Sequence, residues 1–170
     1  MYTSVADAAV TAADAADVMK RAETAALTET ADADATKMKI AVVILNWNTE
    51  DFLRKFLPGL VRSCAKVKGA EVVVADNAST DGSLKLMAEE FPQVRTLKFE
   101  KNLGFTGGYN RAFAELHHGP DAPEYFLLIN SDIEVPEDWL GPLVEWMDTH
   151  PQCGACAPKL HGWQHKDMFE

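Results

Sequence analysis

Cysteine, basic residues and long apolar runs are all scarce in this 170-residue chain. Three cysteines, an odd number, do not suggest a disulfide framework, so a reducing cytoplasm is the simpler interpretation. Acidic residues outnumber basic ones by 26 to 16, which argues against a nucleic-acid-binding protein because such proteins carry basic patches. The apolar run Ile40–Leu45 is far shorter than the roughly 20 residues of a membrane-spanning helix. This absence does not argue against peripheral contact with the inner face of the plasma membrane.

Residues 1–37 differ in composition from the rest of the chain. Ala, Thr and Asp dominate this segment, and it contains few large apolar residues, a bias typical of a disordered or weakly helical extension. A strand-like run follows Met38 immediately, so we interpret Met38 as the natural start of the protein. Residues 38–170 are then long enough and apolar enough to form one domain with a core.

Strand-like and helix-like segments alternate from Met38 onward. The predicted strands are 40–45, 71–75, 94–99, 125–129 and 154–160. The predicted helices are 50–64, a segment capped by Ser79 or Thr80, 107–118, and a last one from Leu140 to Met147. Pro58 and Gly59 lie inside the first helix and can kink or divide it. This alternation predicts an α/β fold with a mostly parallel sheet and helices on both faces.

Polar clusters follow three of the predicted strands directly. They are Asn46-Trp47-Asn48, the segment 76–83, and Asn130-Ser131-Asp132. In a parallel sheet these clusters converge on one edge, where α/β proteins bind their ligands. Polar groups there can bind a nucleotide, Trp47 can pack on a base, and Asp132 is well placed to hold a hard cation. Each cluster taken singly is also explained as a strand or helix cap, and Asn130-Ser131-Asp132 as an Asx turn.

The glycine-rich stretch NLGFTGGYNRA opens the predicted helix 107–118. Gly107 and Gly108 permit close approach of the backbone to a ligand, and a helix start offers free N–H groups to phosphate. The stretch is neither a Walker loop nor a dinucleotide fingerprint, because no Lys-Ser/Thr pair follows and its glycine spacing differs. A flexible loop before a capped helix explains it equally well.

Taken together, these segments resemble the N-terminal, donor-binding half of a family 2 glycosyltransferase with the GT-A fold, in its rhamnosyltransferase-like branch. The resemblance rests on AVVILNWN, DNASTDGS, NLGFTGGYNRA and FLLINSDIEVPEDWL, which occur in the family's order and spacing. It implies a Rossmann-like GT-A sheet that is truncated after the metal-motif region. It also implies a bacterial enzyme of cell-wall or polysaccharide biosynthesis.

The resemblance further implies transfer of a sugar from a dTDP-, UDP- or GDP-sugar to a glycan or lipid-linked acceptor, with inversion at the anomeric carbon. The nucleotide-binding positions that it implies are Leu45, Asn46, Trp47, Asn48, Asp76, Asn77, Ser79, Gly107, Gly108 and Asn110. It assigns a Mg²⁺ or Mn²⁺ ion to Asp132, with Asn130 at the degenerate first position of an Asp-x-Asp motif.

The family's general base is expected well downstream of the metal motif, beyond Glu170. Asp167 and Glu170 lie too close to the predicted fifth strand to replace it. We therefore expect this chain to be a fragment that binds the donor weakly without transferring sugar. The alternative is a non-catalytic nucleotide-binding fragment or an assembly module.

The segment Cys153–Cys156 has the spacing of a redox or zinc motif, with His161 and His165 after it. A predicted strand separates the cysteines from the histidines, which does not suit a local four-ligand zinc site, so buried reduced cysteines are the preferred interpretation. Trp139 and Trp146 flank the apolar stripe of the last predicted helix and are interpreted as packing residues.

Deletion of residues 1–37 should leave the thermal midpoint almost unchanged, because a solvated extension adds few buried contacts. Circular dichroism melts of the full chain and of a chain that starts at Met38 measure the difference. A midpoint that drops by many degrees in the shorter chain would show that the extension packs on the domain.

Overall fold

The computed structural model describes residues 38–118 and 121–162. Its strands are β1 (Ile40–Asn46), β2 (Ala70–Asp76), β3 (Arg95–Lys98) and β4 (Tyr125–Ile129). Its helices are α1 (Glu50–Cys64), α2 (Ser83–Glu90), α3 (Gly104–Leu116) and α4 (Leu140–Thr149). The predicted extension 1–37, together with His165, Asp167 and Glu170, lies outside the described residues. None of the helices in the described part of the chain is both long and apolar enough to cross a membrane.

The four strands form one sheet in the order β3-β2-β1-β4, and every pairing among the described residues is parallel. In the register, Asn46 stands beside Asp76 at one end of the β1–β2 pair, and Ile44 stands beside Ile129 of β4. β1 is central and covered on both faces, which explains its unbroken run of apolar residues. The mostly parallel sheet predicted from the sequence is confirmed.

Side chains of β1 alternate between two cores. Ile40, Val42 and Ile44 belong to the larger core, which α1, α2 and α4 cover. Ala41 and Val43 point the other way, into a smaller core that α3 covers. The prediction of helices on both faces of the sheet is therefore confirmed.

Helix α1 follows from apolar residues at a spacing of three and four. Leu53, Leu57, Leu60 and Cys64 are buried along one stripe, and burial raises the pKa of the Cys64 thiol to about 11. Pro58 lies inside the helix, yet α1 runs without interruption from Glu50 to Cys64. A division of the helix at this proline is therefore not observed.

Two helices begin at residues that differ from those predicted from the sequence. Helix α2 begins at Ser83 rather than after Ser79 or Thr80, because the Asp81 carboxylate accepts a hydrogen bond from the Ser83 N–H, 3.0 Å away. Helix α3 begins at Gly104 rather than residue 107, because the Asn102 side chain accepts the Gly104 N–H at 2.7 Å. In both cases a side chain just upstream satisfies the N–H at the helix start.

The last part of the described chain departs further from the sequence prediction. Residues 154–160 form no strand, because no described strand pairs with them to build a ladder. Cys156 is exposed, and Cys153 is half-buried, so burial of these two cysteines was wrongly predicted. Trp139 does pack, and its Nε1 donates to Ser63 Oγ at 3.0 Å, whereas Trp146 is 51% exposed and stacks on the His150 ring.

An ion cluster fixes α4 to the amino-terminal end of the sheet. Lys39 Nζ lies 2.9 Å from Asp148 Oδ1 and 2.6 Å from Glu124 Oε2, and Tyr125 Oη donates to Asp148 at 2.7 Å. The hydrogen bond from Lys39, followed by the one from Tyr125, lowers the pKa of Asp148. This cluster anchors the helix that follows the Asn130–Asp132 turn.

Replacing Leu57 by alanine should destabilise the domain by about 2–5 kcal/mol, since the side chain is buried in the larger core. Phe52→Ala in the same helix is the matched control, because Phe52 is 45% exposed and should cost far less. Urea denaturation of both variants measures the difference, and equal losses would contradict the described orientation of α1.

Candidate functional site

The carboxyl ends of the strands bring the predicted polar clusters to one edge of the sheet. Asn46 and Asp76 stand side by side at the ends of β1 and β2. The register of β1 with β4 brings the segment 130–132 to the level of the residues that end β1. The predicted convergence of the three clusters on one edge is therefore confirmed for the backbone.

Asn46 is the centre of a buried hydrogen-bond network at this edge. Its Nδ2 donates to Asp76 Oδ2 at 2.9 Å and to Ser79 Oγ at 3.0 Å. Its Oδ1 accepts from the Thr49 hydroxyl at 2.5 Å. The second oxygen of Asp76 accepts the Ser79 N–H at 3.0 Å, so both carboxylate oxygens have a partner. Asn46 and Asp76 are almost completely buried, and a buried carboxylate needs such partners to be stable.

Asn48 ties the loop after β1 to the loop after β2. Its Oδ1 accepts the backbone N–H groups of Thr80 at 2.7 Å and Asp81 at 3.3 Å. Its own N–H donates to Ser79 Oγ at 3.0 Å. Asn48 adopts the left-handed conformation, with φ of 56°, which asparagine tolerates better than most residues. The preceding residue, Trp47, lies at the surface and is 54% exposed.

Asn77 joins the end of β2 to the glycine-rich loop. Its Oδ1 accepts the Leu103 N–H at 2.9 Å, and its Nδ2 donates to Asn102 Oδ1 at 3.0 Å and to the Gly104 carbonyl at 3.2 Å. Asn77 is buried, and the next residue, Ala78, is left-handed with φ of 64°. These bonds hold the amino terminus of α3 close to the end of β2, where the cap residue Leu103 itself makes no side-chain hydrogen bond to the helix.

Gly107 and Gly108 lie inside α3 rather than at its entrance. Gly108 is buried, and a Cβ placed on it would lie 2.6 Å from Leu45 Cδ1 and 3.2 Å from Asn77 Nδ2. Because Gly108 has no side chain, the half-buried Leu45 can pack against the backbone of α3. This packing role was not predicted from the sequence. Gly107 faces Leu103 Cβ at 3.1 Å, and Asn110 is exposed and takes no part in the network.

Asn130 and Asp132 are both exposed at the end of β4, and the segment 131–132 forms a turn. In the described residues there is no cluster of three or more His, Cys, Asp or Glu that could hold a metal by itself. Mg²⁺ keeps several waters and binds through one or two carboxylates plus substrate phosphates, so one exposed carboxylate suits a cation that arrives with its phosphate ligand. The residues fit a substrate-bridged divalent cation and not a preformed protein cage.

Three members of the network were missed as site residues in the sequence. Thr49 supports Asn46, Asn102 supports Asn77, and Asp81 accepts the Glu50 N–H at 3.1 Å as well as the Ser83 N–H. Burial alone would raise the pKa of Asp81, but hydrogen bonds from Ser83 and Glu50 outweigh it and lower the pKa. Asn102 and Asp81 lie within the motifs NLGFTGGYNRA and DNASTDGS, and this position in the sequence could have marked them as candidate site residues.

Residues 41–163 match the sequence signature of the family described as "Glycosyl transferase family 2". The chain belongs to glycosyl transferase family 2. The match includes β2, β3, β4, all of β1 except Ile40, and the polar edge, and it confirms the resemblance inferred from the motifs.

Curated relatives of this family 2 chain include glycosyltransferases. An N-acetylglucosaminyl-diphospho-decaprenol L-rhamnosyltransferase of Mycobacterium tuberculosis is 28% identical over 127 residues, which cover 71% of this chain and 41% of the relative. A poly(ribitol-phosphate) beta-glucosyltransferase of Bacillus spizizenii is 28% identical over 114 residues, which cover 64% of this chain and 17% of the relative. The chain thus spans less than half the length of either relative.

Solved structures share the fold of the family 2 chain. Residues 1–349 of Staphylococcus aureus TarS in complex with UDP align with a TM-score of 0.54 at 22% identity, over 72% of this chain and 38% of that one. The mannosyltransferase PcManGT of Pyrobaculum calidifontis, in complex with GDP-Man and Mn²⁺, aligns with a TM-score of 0.54 at 21% identity, over 74% and 34%. These similarities confirm the predicted GT-A fold class.

Gly108→Ala should destabilise the domain by about 1–3 kcal/mol, because its Cβ would overlap Leu45 and displace α3 from the sheet edge. Gly141→Ala is the control: it also lies in a helix, has nothing within 4 Å of its Cβ position, and should be neutral or stabilising by up to about 1 kcal/mol. Chemical denaturation measures both, and equal effects would contradict the close contact at Gly108.

Asp81→Asn should destabilise the domain at neutral pH and cost progressively less as the pH falls. The folded-state pKa of Asp81 is lowered, so its carboxylate contributes stability above the unfolded value of about 3.9 and loses it as the pH drops through the lower folded value. Urea denaturation of wild type and variant between about pH 7 and about pH 3 tests this. A difference that grows on acidification would refute the assignment.

Proposed function

We propose that this chain binds the nucleotide-diphosphate-sugar donor of a glycosyltransferase at the carboxyl edge of its sheet. One observation carries the proposal: the buried network of Asn46, Asp76 and Asn77 fixes three loops while Trp47 and Asp132 stay exposed at the same edge. An edge built in this way presents a flat aromatic surface and a carboxylate to a ligand without further rearrangement. Family membership supports this function, as do the neighbours whose structures contain UDP or GDP-Man with Mn²⁺.

Trp47 is proposed to stack on the nucleobase, since an exposed indole beside polar groups offers both a flat face and a hydrogen-bonding neighbourhood. Asp76 and Asn77 act first by holding the loops, because their side chains already make internal hydrogen bonds. Asp76 is almost completely buried, but each of its carboxylate oxygens has more than one lone pair and can accept one further bond from a ribose or base donor that reaches it. Ser79 and Asn48, in the loops after β2 and β1, are proposed to supply the other polar groups beside the nucleotide.

The diphosphate is proposed to lie between the start of α3 and the turn at 130–132. Asn102 accepts the Gly104 N–H, but the N–H groups of the following residues in the first turn of α3 have no partner within the helix, and the positive end of the helix dipole favours an anion there. Asp132 and the side-chain carbonyl of Asn130 supply hard oxygen ligands for a Mg²⁺ or Mn²⁺ ion that accompanies the diphosphate. When bound, such an ion neutralises the charge that develops on the leaving diphosphate.

The reaction that this donor site would serve is displacement at the anomeric carbon by an acceptor hydroxyl. The acceptor is proposed to be a glycan or a lipid-linked sugar, in keeping with the decaprenol-linked acceptor named for the mycobacterial relative. We propose a cytoplasmic location, with peripheral contact at the inner face of the plasma membrane where the acceptor is lipid-linked.

Nucleotide diphosphate should raise the melting temperature of the chain in the presence of Mn²⁺, and Asp132→Ala should abolish the metal-dependent part. A ligand at 100 times its Kd stabilises a protein by about 2.7 kcal/mol, which is several degrees for a domain of this size. Thermal shift assays with UDP, dTDP and GDP, with and without Mn²⁺, measure the effect and identify the preferred base.

Glu134→Ala is the matched control, because Glu134 is another exposed carboxylate two residues along the chain and should keep the full shift. No shift with any nucleotide would refute donor binding and leave an assembly module as the interpretation. An equal shift in Asp132→Ala would retain nucleotide binding and refute the metal assignment.

A further inference from the structure

A buried hydroxyl group connects helix α3 to the ends of two strands. Tyr109 is 3% exposed, and its Oη donates to the backbone carbonyl oxygen of Ile129, 3.3 Å away, where β4 ends. Burial raises the pKa of this hydroxyl, and a hydrogen bond from the Leu45 backbone opposes the increase. Leu45 is the next-to-last residue of β1, so one side-chain hydroxyl contacts the ends of both β1 and β4.

The Tyr109 hydroxyl lies where the pairing between β1 and β4 stops. The register ends with Ile44 beside Ile129, and β1 then continues to Asn46 while the other segment leaves the sheet for the turn at 130–132. Backbone pairing therefore does not fix the distance between the two segments beyond this point. A side-chain hydrogen bond that reaches both strand ends can fix it instead.

Aromatic side chains of α3 hold the Tyr109 ring in place. Phe105 lies edge-on to this ring, with the two centroids 4.9 Å apart, and the centroid of Phe113 lies 5.9 Å away. Phe113 in turn contacts Phe126 of β4, with their centroids 4.6 Å apart. These rings stand four residues apart along α3 and attach the helix to β4. The hydroxyl is consequently held at the strand ends.

The turn at 130–132 is anchored from both faces of the sheet. After the turn, Ile133 packs against the larger core, and before it Ile129 accepts the Tyr109 hydroxyl, whose ring belongs to the smaller core. The side chains of Asn130 and Asp132 are exposed between these anchors, so their position depends on the backbone that carries them. Mg²⁺ demands near-ideal ligand geometry, so a displaced carboxylate binds it less tightly.

We infer that Tyr109 is a positioning residue for the metal side of the donor site. Its hydroxyl fixes the turn at 130–132 against the end of β1, and it thereby sets the distance between Asp132 and the network around Asn46. The inference rests on the proposed donor-binding function, in which the nucleotide lies beside β1 and the cation beside β4. Tyr109 acts through the backbone of Ile129 and need not touch the ligand.

Tyr109→Phe removes the hydroxyl but keeps the ring contacts, so the variant should fold, which circular dichroism verifies. The nucleotide probe is the one among UDP, dTDP and GDP that stabilises the wild type most. With this probe, the half-saturating Mn²⁺ concentration in thermal shift assays should rise about three- to tenfold in Tyr109→Phe. The shift that the nucleotide causes without metal should stay unchanged, because the β1 side of the site is intact.

NMR relaxation of the ligand-free chain gives a second measurement that does not depend on donor binding. The backbone order parameters of residues 130–132 should fall in Tyr109→Phe, because the turn has lost the anchor that precedes it. Tyr125→Phe is the matched control, since it removes a tyrosine hydroxyl that bonds to Asp148 at the other end of β4. It should leave the half-saturating Mn²⁺ concentration and these order parameters as in the wild type.

Three outcomes would overturn the inference about Tyr109 alone. They are an unchanged half-saturating Mn²⁺ concentration in Tyr109→Phe, unchanged order parameters at 130–132, and equal changes in Tyr125→Phe. A wild type that no nucleotide stabilises refutes the donor site, and a wild type to which Mn²⁺ adds nothing refutes the metal assignment. Either of these results also removes the inference, but it is recognised in the wild type, before any variant is measured.

Discussion

The buried side-chain amide of Asn46 connects the loops at the carboxyl edge of the sheet. One amide group reaches Asp76 at the end of β2, Ser79 in the following loop and Thr49 ahead of α1. The Asn46 backbone carbonyl also accepts the Asn77 N–H at 2.8 Å. Loss of this amide would leave a buried carboxylate short of a partner, which costs more than an ordinary surface hydrogen bond. The course of two loops, and through Asn77 the start of α3, depends on it.

Buried and exposed side chains have different roles at this edge. Asn46, Asp76 and Asn77 are buried and hydrogen-bonded to the protein, so their first contribution is to shape the edge. Trp47 and Asp132 are exposed, so they are available to a ligand. A motif such as DNASTDGS therefore contains residues of both kinds, and its letters alone do not separate the residues that touch a ligand from those that hold the loop.

The sequence predicted those features that depend on local pattern. The unbroken apolar run of β1 and the apolar stripe of α1 have few alternative explanations, and both were located within a residue. The start of α3 was misplaced, because the cap comes from Asn102 and Asn77, the second of which is distant in sequence. The segment 154–160 was wrongly predicted to be a strand, because a strand needs a partner and composition does not reveal whether one is present. Trp146 was also wrongly predicted to pack, because the apolar spacing of its helix does not reveal whether another element covers that side chain.

The left-handed backbone of Asn48 and Ala78 shows that the loops at this edge are held in place by the fold. Both conformations cost free energy for residues other than glycine. Hydrogen bonds of Asn48 itself, and of Asn77 and Ser79 on either side of Ala78, hold them. The loops have therefore lost their conformational freedom during folding, before any ligand arrives. The free energy of ordering these loops is therefore not a cost that falls on binding at this edge, which is the general advantage of a preorganised surface.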